Sequence, residues 1–179
     1  MPLVPFIRDA AGADSVTVDD GDLLTGGAIQ ENRALTVTIY GGAFDGRHEL
    51  VLRAEATTTI SESRPLAQQF ALLKAAEAAG VAVPRPLWHC GDAGMAGKPF
   101  YLMERISGTA RGNRITRDGA QPALAETLAN ELARIHTMRP PHVGLEFLGA
   151  IRETPAMDAI ATYRAYLDEM PEPHPVLEW

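Results

Sequence analysis

The chain has 179 residues, 46% of them hydrophobic, with a formal net charge of -7 and a single cysteine. The normal apolar fraction excludes wholesale disorder, the lone Cys90 excludes an internal disulfide framework, and neither a signal peptide nor an apolar run of about 20 residues is found. The acidic balance argues against nucleic-acid binding by phosphate neutralisation, so we expect a globular cytoplasmic protein without a membrane span.

The first half of the chain has the pattern of one short helix and three strands. Residues 3–11 are compatible with a helix. Apolar residues then alternate with polar ones between Val16 and Tyr40, which predicts two strands connected at Gly26-Gly27. A second glycine-bearing turn leads to a third strand over residues 49–54. Three strands joined in this way form an antiparallel meander.

A helix and two more strands follow. The helix is predicted over residues 63–79, with Ser63 as its cap, Leu66, Phe70 and Leu73 on its apolar stripe, and Gly80 at its end. Two short strands are predicted over residues 85–90 and 99–104, with a glycine-rich loop between them.

The last third is predicted to be helical. A polar link carrying Arg111, Arg114 and Arg117 precedes a helix over residues 122–137, and Thr154 caps another over residues 155–170. Strands first and helices afterwards indicate an α+β fold rather than alternating βαβ units. We expect an antiparallel sheet of about five strands with one packed helix, followed by further helices.

Generic site motifs do not indicate a particular function. The sequence has neither the P-loop pattern nor G-x-G-x-x-G. His89 and Cys90 are adjacent, so on a strand they face opposite sides and are poorly placed to share a metal. We expect both to be structural residues.

The informative feature is an ordered set of segments: Gly26-Gly27, Asn32, Val51-Leu52-Arg53, Gly80 to Leu87, Phe100 to Gly108 and Leu132 to His136. In this order they resemble the small lobe of the aminoglycoside phosphotransferase family, a branch of the protein-kinase-like fold. The similarity extends to the subgroup of kinase-like domains fused to some acyl-CoA dehydrogenases, and it covers nearly all of the chain.

The resemblance implies an ATP site. The loop from Gly26 to Asn32 would cover the phosphates, and Arg53 would pair with the α- and β-phosphates. The hinge from Met103 to Ile106 would offer backbone groups to adenine, with Val51 and Leu87 as apolar neighbours. The implied nucleotide-binding residues are Gly26, Gly27, Asn32, Val51, Arg53, Gln69, Met103, Glu104, Arg105 and Ile106.

This sequence departs from the family pattern in two places. Gln69 stands where the helix acid normally pairs with the strand cation, and Glu62 or Glu55 are alternative partners for Arg53. The catalytic loop beginning His-Gly-Asp, its metal-binding Asn and the later magnesium-binding Asp do not occur. His89-Cys90-Gly91-Asp92 has an inserted residue and precedes the hinge, so it does not replace them. We therefore expect a lobe truncated before its Mg²⁺ ligands and inactive alone.

The expected organisation is a nucleotide-binding lobe over residues 1–106 and, over 107–179, a linker and the first helices of an incomplete large lobe. Those helices would then expose apolar side chains, which predicts self-association or a longer natural polypeptide. The side chains concerned are Leu124, Leu128, Leu132, Ile160, Tyr163 and Leu167.

Three hypotheses remain open. The first is the ATP-binding half of a small-molecule O-phosphotransferase, whose alcohol acceptor could be an aminoglycoside, a choline-like alcohol, a sugar or a hydroxyacyl thioester. The second is a noncatalytic, kinase-like binding or scaffold module. The third is a plain α+β domain with coincidental motifs, which predicts no five-stranded antiparallel sheet flanked by the 63–79 helix.

Overall fold

The computed structural model describes residues 3–24, 30–55, 64–92, 97–109, 111–117, 119, 121–139, 141–150 and 153–169. The chain divides into two compact units, Met1–Met138 and Arg139–Trp179. The predicted boundary at residue 106 stays a prediction. None of the described helices is both long and apolar enough to cross a lipid bilayer.

The first unit contains nine elements, in the order helix, three strands, helix, two strands and two helices. They are α1 (Leu3–Ala11), β1 (Ser15–Leu23), β2 (Gln30–Tyr40), β3 (Gly46–Glu55), α2 (Leu66–Ala78), β4 (Pro86–Cys90), β5 (Phe100–Glu104), α3 (Gly112–Ile115) and α4 (Pro122–Thr137). The second unit contains a 3₁₀ turn, Glu146–Leu148, and α5 (Pro155–Asp168).

The five strands form one sheet in the order β1-β2-β3-β5-β4, and every neighbouring pair is antiparallel. The α+β prediction is therefore confirmed, including the number of strands and the flanking helix. The sheet contradicts the hypothesis of a plain domain with coincidental motifs, which predicted that no such sheet would be found.

One face of the sheet carries the main hydrophobic core. Leu3, Ile7 and Ala11 lie four residues apart on α1, so they share one side of the helix, and all three are buried in this core. Phe6 also packs edge-to-face on Phe100, with ring centroids 5.2 Å apart. Because Ile7 is fully buried, we expect its truncation to alanine to cost about 2–5 kcal/mol.

The turn between β2 and β3 packs closely against the end of α1. Gly42 has φ +76°, and a Cβ there would lie 2.7 Å from the Gly12 carbonyl oxygen. The backbone therefore approaches to a distance that only glycine allows. This contact fixes the corner between α1 and the sheet.

The other face of the sheet packs against α2. Phe70 lies 5.7 Å, centroid to centroid, from both His89 and Tyr101. Only Leu66 and Ala75 of this helix are fully buried; Phe70 and Leu73, predicted on its apolar stripe, are partly exposed. Phe70 thus brings α2 into contact with rings of both β4 and β5.

The C-terminal end of α2 agrees with the sequence prediction, and its N-terminal end does not. Gly80 has φ +76°, its N–H donates to Glu77 O and that of Val81 to Ala76 O, which is the Schellman arrangement. The helix begins at Leu66, with Pro65 in the cap position and no side-chain cap hydrogen bond. Ser63, the predicted cap, lies outside the described residues.

The later helices expose apolar side chains, as predicted. Leu124, Leu128 and Leu132 of α4 are exposed, and so are Ile160 and Tyr163 of α5. Leu167 differs, because it is half-buried. Thr154 holds the N-cap position of α5 but makes no side-chain cap hydrogen bond, so its predicted role is only partly met.

Candidate functional site

The sheet face opposite α1 carries the predicted strand cation within two cross-strand rows. Asn32, Arg53 and Tyr101 are register partners on β2, β3 and β5. One step along, Ala34, Val51 and Met103 form a second, apolar row. Residues two apart on a strand share a face, so both rows lie on the side that α2 covers in part. The structure therefore brings Asn32, Val51, Arg53 and Met103 together.

The same face continues toward β1 as a polar groove of about 330 Å³. Thr36, Thr38 and Arg47 line it with Thr17 and Asp19 of β1. Thr36 and Thr38 follow Ala34 on β2, and Arg47 precedes Val51 on the antiparallel β3, so the apolar row borders an open polar surface.

Arg53 is partly buried, and one edge of its guanidinium is fixed. Its Nε donates a hydrogen bond to Oε1 of Gln30, two residues before Asn32 on β2. Within the described part of the chain, its two Nη groups have no hydrogen-bond or ion-pair partner. Guanidinium donors lie in a planar fork that matches two phosphate oxygens. Arg53 can therefore bind an anion without losing its anchor.

Tyr101 sits beside Arg53 and is 1% exposed. Burial raises the pKa of its phenol above the usual 10.0, while the nearby Arg53 charge lowers it in part. Burial disfavours the charged phenolate, and a positive neighbour favours it. The phenol is thus neutral at physiological pH, and its pKa depends on the nearby guanidinium charge.

Asn32 contributes an unsatisfied amide to this face. Its Oδ1 is a buried side-chain oxygen that accepts no hydrogen bond in the structure. Leaving a buried acceptor unpaired costs about 1–3 kcal/mol, so such groups call for an explanation. An amide oxygen that is unpaired in the described structure, on the direct cross-strand partner of Arg53, fits the binding of a polar ligand.

Helix α2 does not supply the partner of Arg53. Gln69 donates from Nε2 to the backbone oxygen of Arg64, 2.6 Å away. The acid of α2, Glu77, lies 3.7 Å from Arg85 Nε. The expected Arg53–Gln69 hydrogen bond is therefore not formed. Glu55 makes no ion pair with Arg53 where the structure is described, and Glu62 lies outside that part.

The segment after β5 has few free backbone donors. Glu104 N–H donates to Arg85 O and Arg105 N–H to Glu49 O, each at 2.9 Å. The Arg105 guanidinium also lies 3.7 Å from the Glu49 carboxylate. Ile106, 65% exposed, has an N–H with no partner in the described structure. Of these three backbone N–H groups, that of Ile106 is the one left for a ligand.

Other predicted residues have different outcomes. Gly26 and Gly27 lie outside the described residues. Leu87, expected beside Val51, packs against the α1-side core. Cys90 is buried in that core while His89 contacts Phe70 on the other face, which confirms that they point apart. Among the described residues, no three His, Cys, Asp or Glu side chains are grouped so as to hold a metal ion.

The residues expected at the site do not include Gln30 or Tyr101. The resemblance places Gln30 in the loop from Gly26 to Asn32, whereas the structure places it at the start of β2. Extending the alternation backward from Thr36 places Gln30, Asn32 and Ala34 on one face, and this signal could have revealed Gln30. Tyr101 lay within a recognised motif, but its partner on β3 depends on strand register.

The fold and this sheet face define a kinase-like small lobe, and comparison with known proteins agrees. The family described as "Phosphotransferase enzyme family" (APH) matches residues 24–179. A crystal structure of a candidate aminoglycoside phosphotransferase from Ralstonia eutropha aligns with a TM-score of 0.64 at 18% identity. That alignment covers 94% of this chain and 48% of the Ralstonia chain. The chain belongs to the APH phosphotransferase family.

Curated relatives are similar over part of their length. Acyl-CoA dehydrogenase family member 11 of Rattus norvegicus is 29% identical over 143 residues, which are 70% of this chain and 18% of the rat protein. Family member 10 of Mus musculus is 34% identical over 106 residues, or 56% of this chain and 10% of the mouse protein. The chain therefore spans less than a fifth of these two relatives.

Proposed function

We propose that this chain supplies the ATP-binding half of a kinase-like O-phosphotransferase that acts on a small-molecule alcohol. The observation that carries the proposal is the half-buried Arg53, on the face that leads to the Met103–Ile106 segment. It is anchored through Nε, and neither Nη group has a partner among the described residues. Membership of the APH family supports phosphoryl transfer as the chemistry of the whole enzyme.

The two cross-strand rows fit different parts of ATP. The apolar row of Ala34, Val51 and Met103 suits the adenine ring. Three residues after Met103, the Ile106 N–H has no partner in the described structure, so it can donate to a ring nitrogen. The row of Asn32 and Arg53 suits the phosphates, because a guanidinium edge can hold two phosphate oxygens at once. Mg²⁺, when bound, neutralises phosphate charge; we propose that its ligands come from a C-terminal region beyond these 179 residues.

The acceptor is proposed only as a small-molecule alcohol. Arg111, Arg114 and Arg117 are exposed and form no ion pair within the described residues. They could face an anionic acceptor, such as a thioester of a phosphate-bearing carrier, and the relatives named for acyl-CoA chemistry make that class worth testing. The alternative is that these arginines belong to an exposed polar linker that does not contact the acceptor.

The alternative is a noncatalytic binding module that docks a partner through its helices. The exposed Leu124, Leu128 and Leu132 on one side of α4 favour it. The two functions differ in a simple way, because only the first requires nucleotide binding through the sheet face.

Isothermal titration of the chain with ATP tests the proposal. We expect saturable binding, weakened about 10–100-fold in Arg53→Met, since hydrogen bonds to charged groups contribute about 1.5–3 kcal/mol. Arg47→Met is the matched control, because Arg47 lies on the same strand, is mostly exposed and pairs with Glu49. No binding by the unaltered chain, or equal losses in both variants, contradicts the proposal.

A further inference from the structure

We propose that Gln30, on strand β2, is the positioning residue that orients Arg53, so that the strand cation is held within the sheet and not by helix α2. This inference rests on the proposed function for its role in ATP binding. Its structural part stands on contacts within the sheet.

The first step is the contact itself. Arg53 Nε donates to Oε1 of Gln30, and the two residues are diagonal neighbours in the β2–β3 ladder, because Asn32 is the direct partner of Arg53. The Gln30 side chain accepts this bond through a neutral amide. The guanidinium keeps its full charge for an anion, while its orientation is fixed by a strand that is paired along its whole length.

The second step is the absence of a competing partner on α2 in the described structure. The Gln69 amide donates to Arg64 O at 2.6 Å, and Glu77, the acid of this helix, faces Arg85. The helix reaches the sheet through Phe70, whose ring contacts Tyr101 and His89. None of these contacts of α2 supplies a charge to Arg53.

The consequence concerns the orientation of Arg53 before a ligand binds. A cation positioned by a helix loses its orientation when the helix moves. The anchor of Arg53 Nε is instead a residue of the sheet, so its orientation does not depend on a contact with α2. Its binding geometry is preorganised, which lowers the entropy lost when phosphate oxygens are bound.

The test compares two glutamines with matched substitutions, Gln30→Met and Gln69→Met, and adds Gln30→Glu as a rescue that keeps the acceptor. The first readout is hydrogen exchange of the Arg53 Nε–Hε cross-peak in ¹⁵N–¹H NMR, assigned by its loss in Arg53→Lys. The second readout is ATP affinity by isothermal titration. Gln30→Ala repeats the comparison if the Met variant fails to fold.

We expect protected Hε exchange in the unaltered chain, in Gln69→Met and in Gln30→Glu, and at least tenfold faster exchange in Gln30→Met. ATP affinity should fall about tenfold in Gln30→Met and stay within twofold in Gln69→Met. Unchanged protection in Gln30→Met, or loss of protection in Gln69→Met, overturns the proposal. If the unaltered chain binds no ATP, the proposed function fails, and the exchange comparison alone decides whether Gln30 holds Arg53.

Discussion

Arg53 and Tyr101 are direct cross-strand partners in the β3–β5 ladder, and the guanidinium charge lowers the pKa of a phenol that burial has raised. The pKa of Tyr101 is thus a measure of the Arg53 charge beside it, even without a ligand. This pairing places a neutral, buried hydroxyl beside the one cation on which the proposed phosphate site depends.

The first prediction follows from this pair. In Arg53→Met the pKa of Tyr101 should rise further, because desolvation remains while the favourable charge is removed. The measurement is a pH titration of the tyrosine Cζ resonances by ¹³C NMR, with the Tyr101 signal assigned by its loss in Tyr101→Phe. A pKa that falls, or does not change, would mean that the guanidinium does not act on the phenol.

The second prediction concerns Glu31 at the start of β2. Its side chain contacts Lys98 Nζ and lies 3.7 Å from Arg33, and the hydrogen bond from Lys98 is the main reason that its pKa is lowered from 4.5. A lowered folded pKa stabilises the fold above the unfolded value, and this stability is lost as the pH falls through the folded pKa.

Glu31→Gln should therefore lower the free energy of unfolding by less than about 1 kcal/mol at pH 7 and flatten its decrease below pH 4.5. Urea unfolding at pH 7 and at pH 3 measures both effects. Glu55→Gln is the control, since Glu55 makes no ion pair within the described structure. An equal change in the two variants would show that the ion pairs of Glu31 do not contribute measurably to the free energy of unfolding.

The third prediction concerns a hydrogen bond between α4 and the connection that joins α2 to β4. Glu131 accepts a hydrogen bond from Ala82 N–H, 2.7 Å from its Oε2, across 49 positions of the sequence. Glu131→Ala should speed hydrogen exchange of the Ala82 amide and destabilise the chain by about 1 kcal/mol. Glu126→Ala on the same helix, an exposed site, should do neither. Slow exchange at Ala82 in Glu131→Ala would rule out this hydrogen bond.

The fourth prediction concerns catalysis by these 179 residues alone. Phosphoryl transfer requires in-line positioning, magnesium and a group that orients the acceptor, and the sequence has no His-Gly-Asp loop. We expect no magnesium-dependent transfer of labelled phosphate from ATP to any tested alcohol above the rate without protein. Turnover that depends on both magnesium and Arg53 would disprove this expectation.

The sequence predicted the fold well where local signals were strong. Pro122 at a first helical position and the breaker Pro140 delimit a helix that the structure places at Pro122–Thr137, as predicted. Gly80 correctly predicts the end of α2, because helices commonly end at a residue in the left-handed conformation, which glycine adopts readily. The start of α2 was predicted too early, because Ser63 suggests a cap and Pro65 occupies that position.

The candidate site was predicted less completely, because its contacts depend on register and not on composition. Arg53 could be recognised as a cation in an apolar strand, but the diagonal contact with Gln30 follows from how β2 pairs with β3. The occupied amides of Glu104 and Arg105 depend on strands that are distant in sequence. A motif alone could not show that the Ile106 N–H has no partner among the described residues.

Binding of ATP to the sheet face bearing Arg53 is measured by following backbone ¹⁵N–¹H shifts during an ATP titration. We expect saturable shifts at Asn32, Val51, Arg53 and Ile106, with little change at Leu35 and Leu50 on the α1 side. No saturable shifts, or shifts confined to the α1 side, would contradict this expectation.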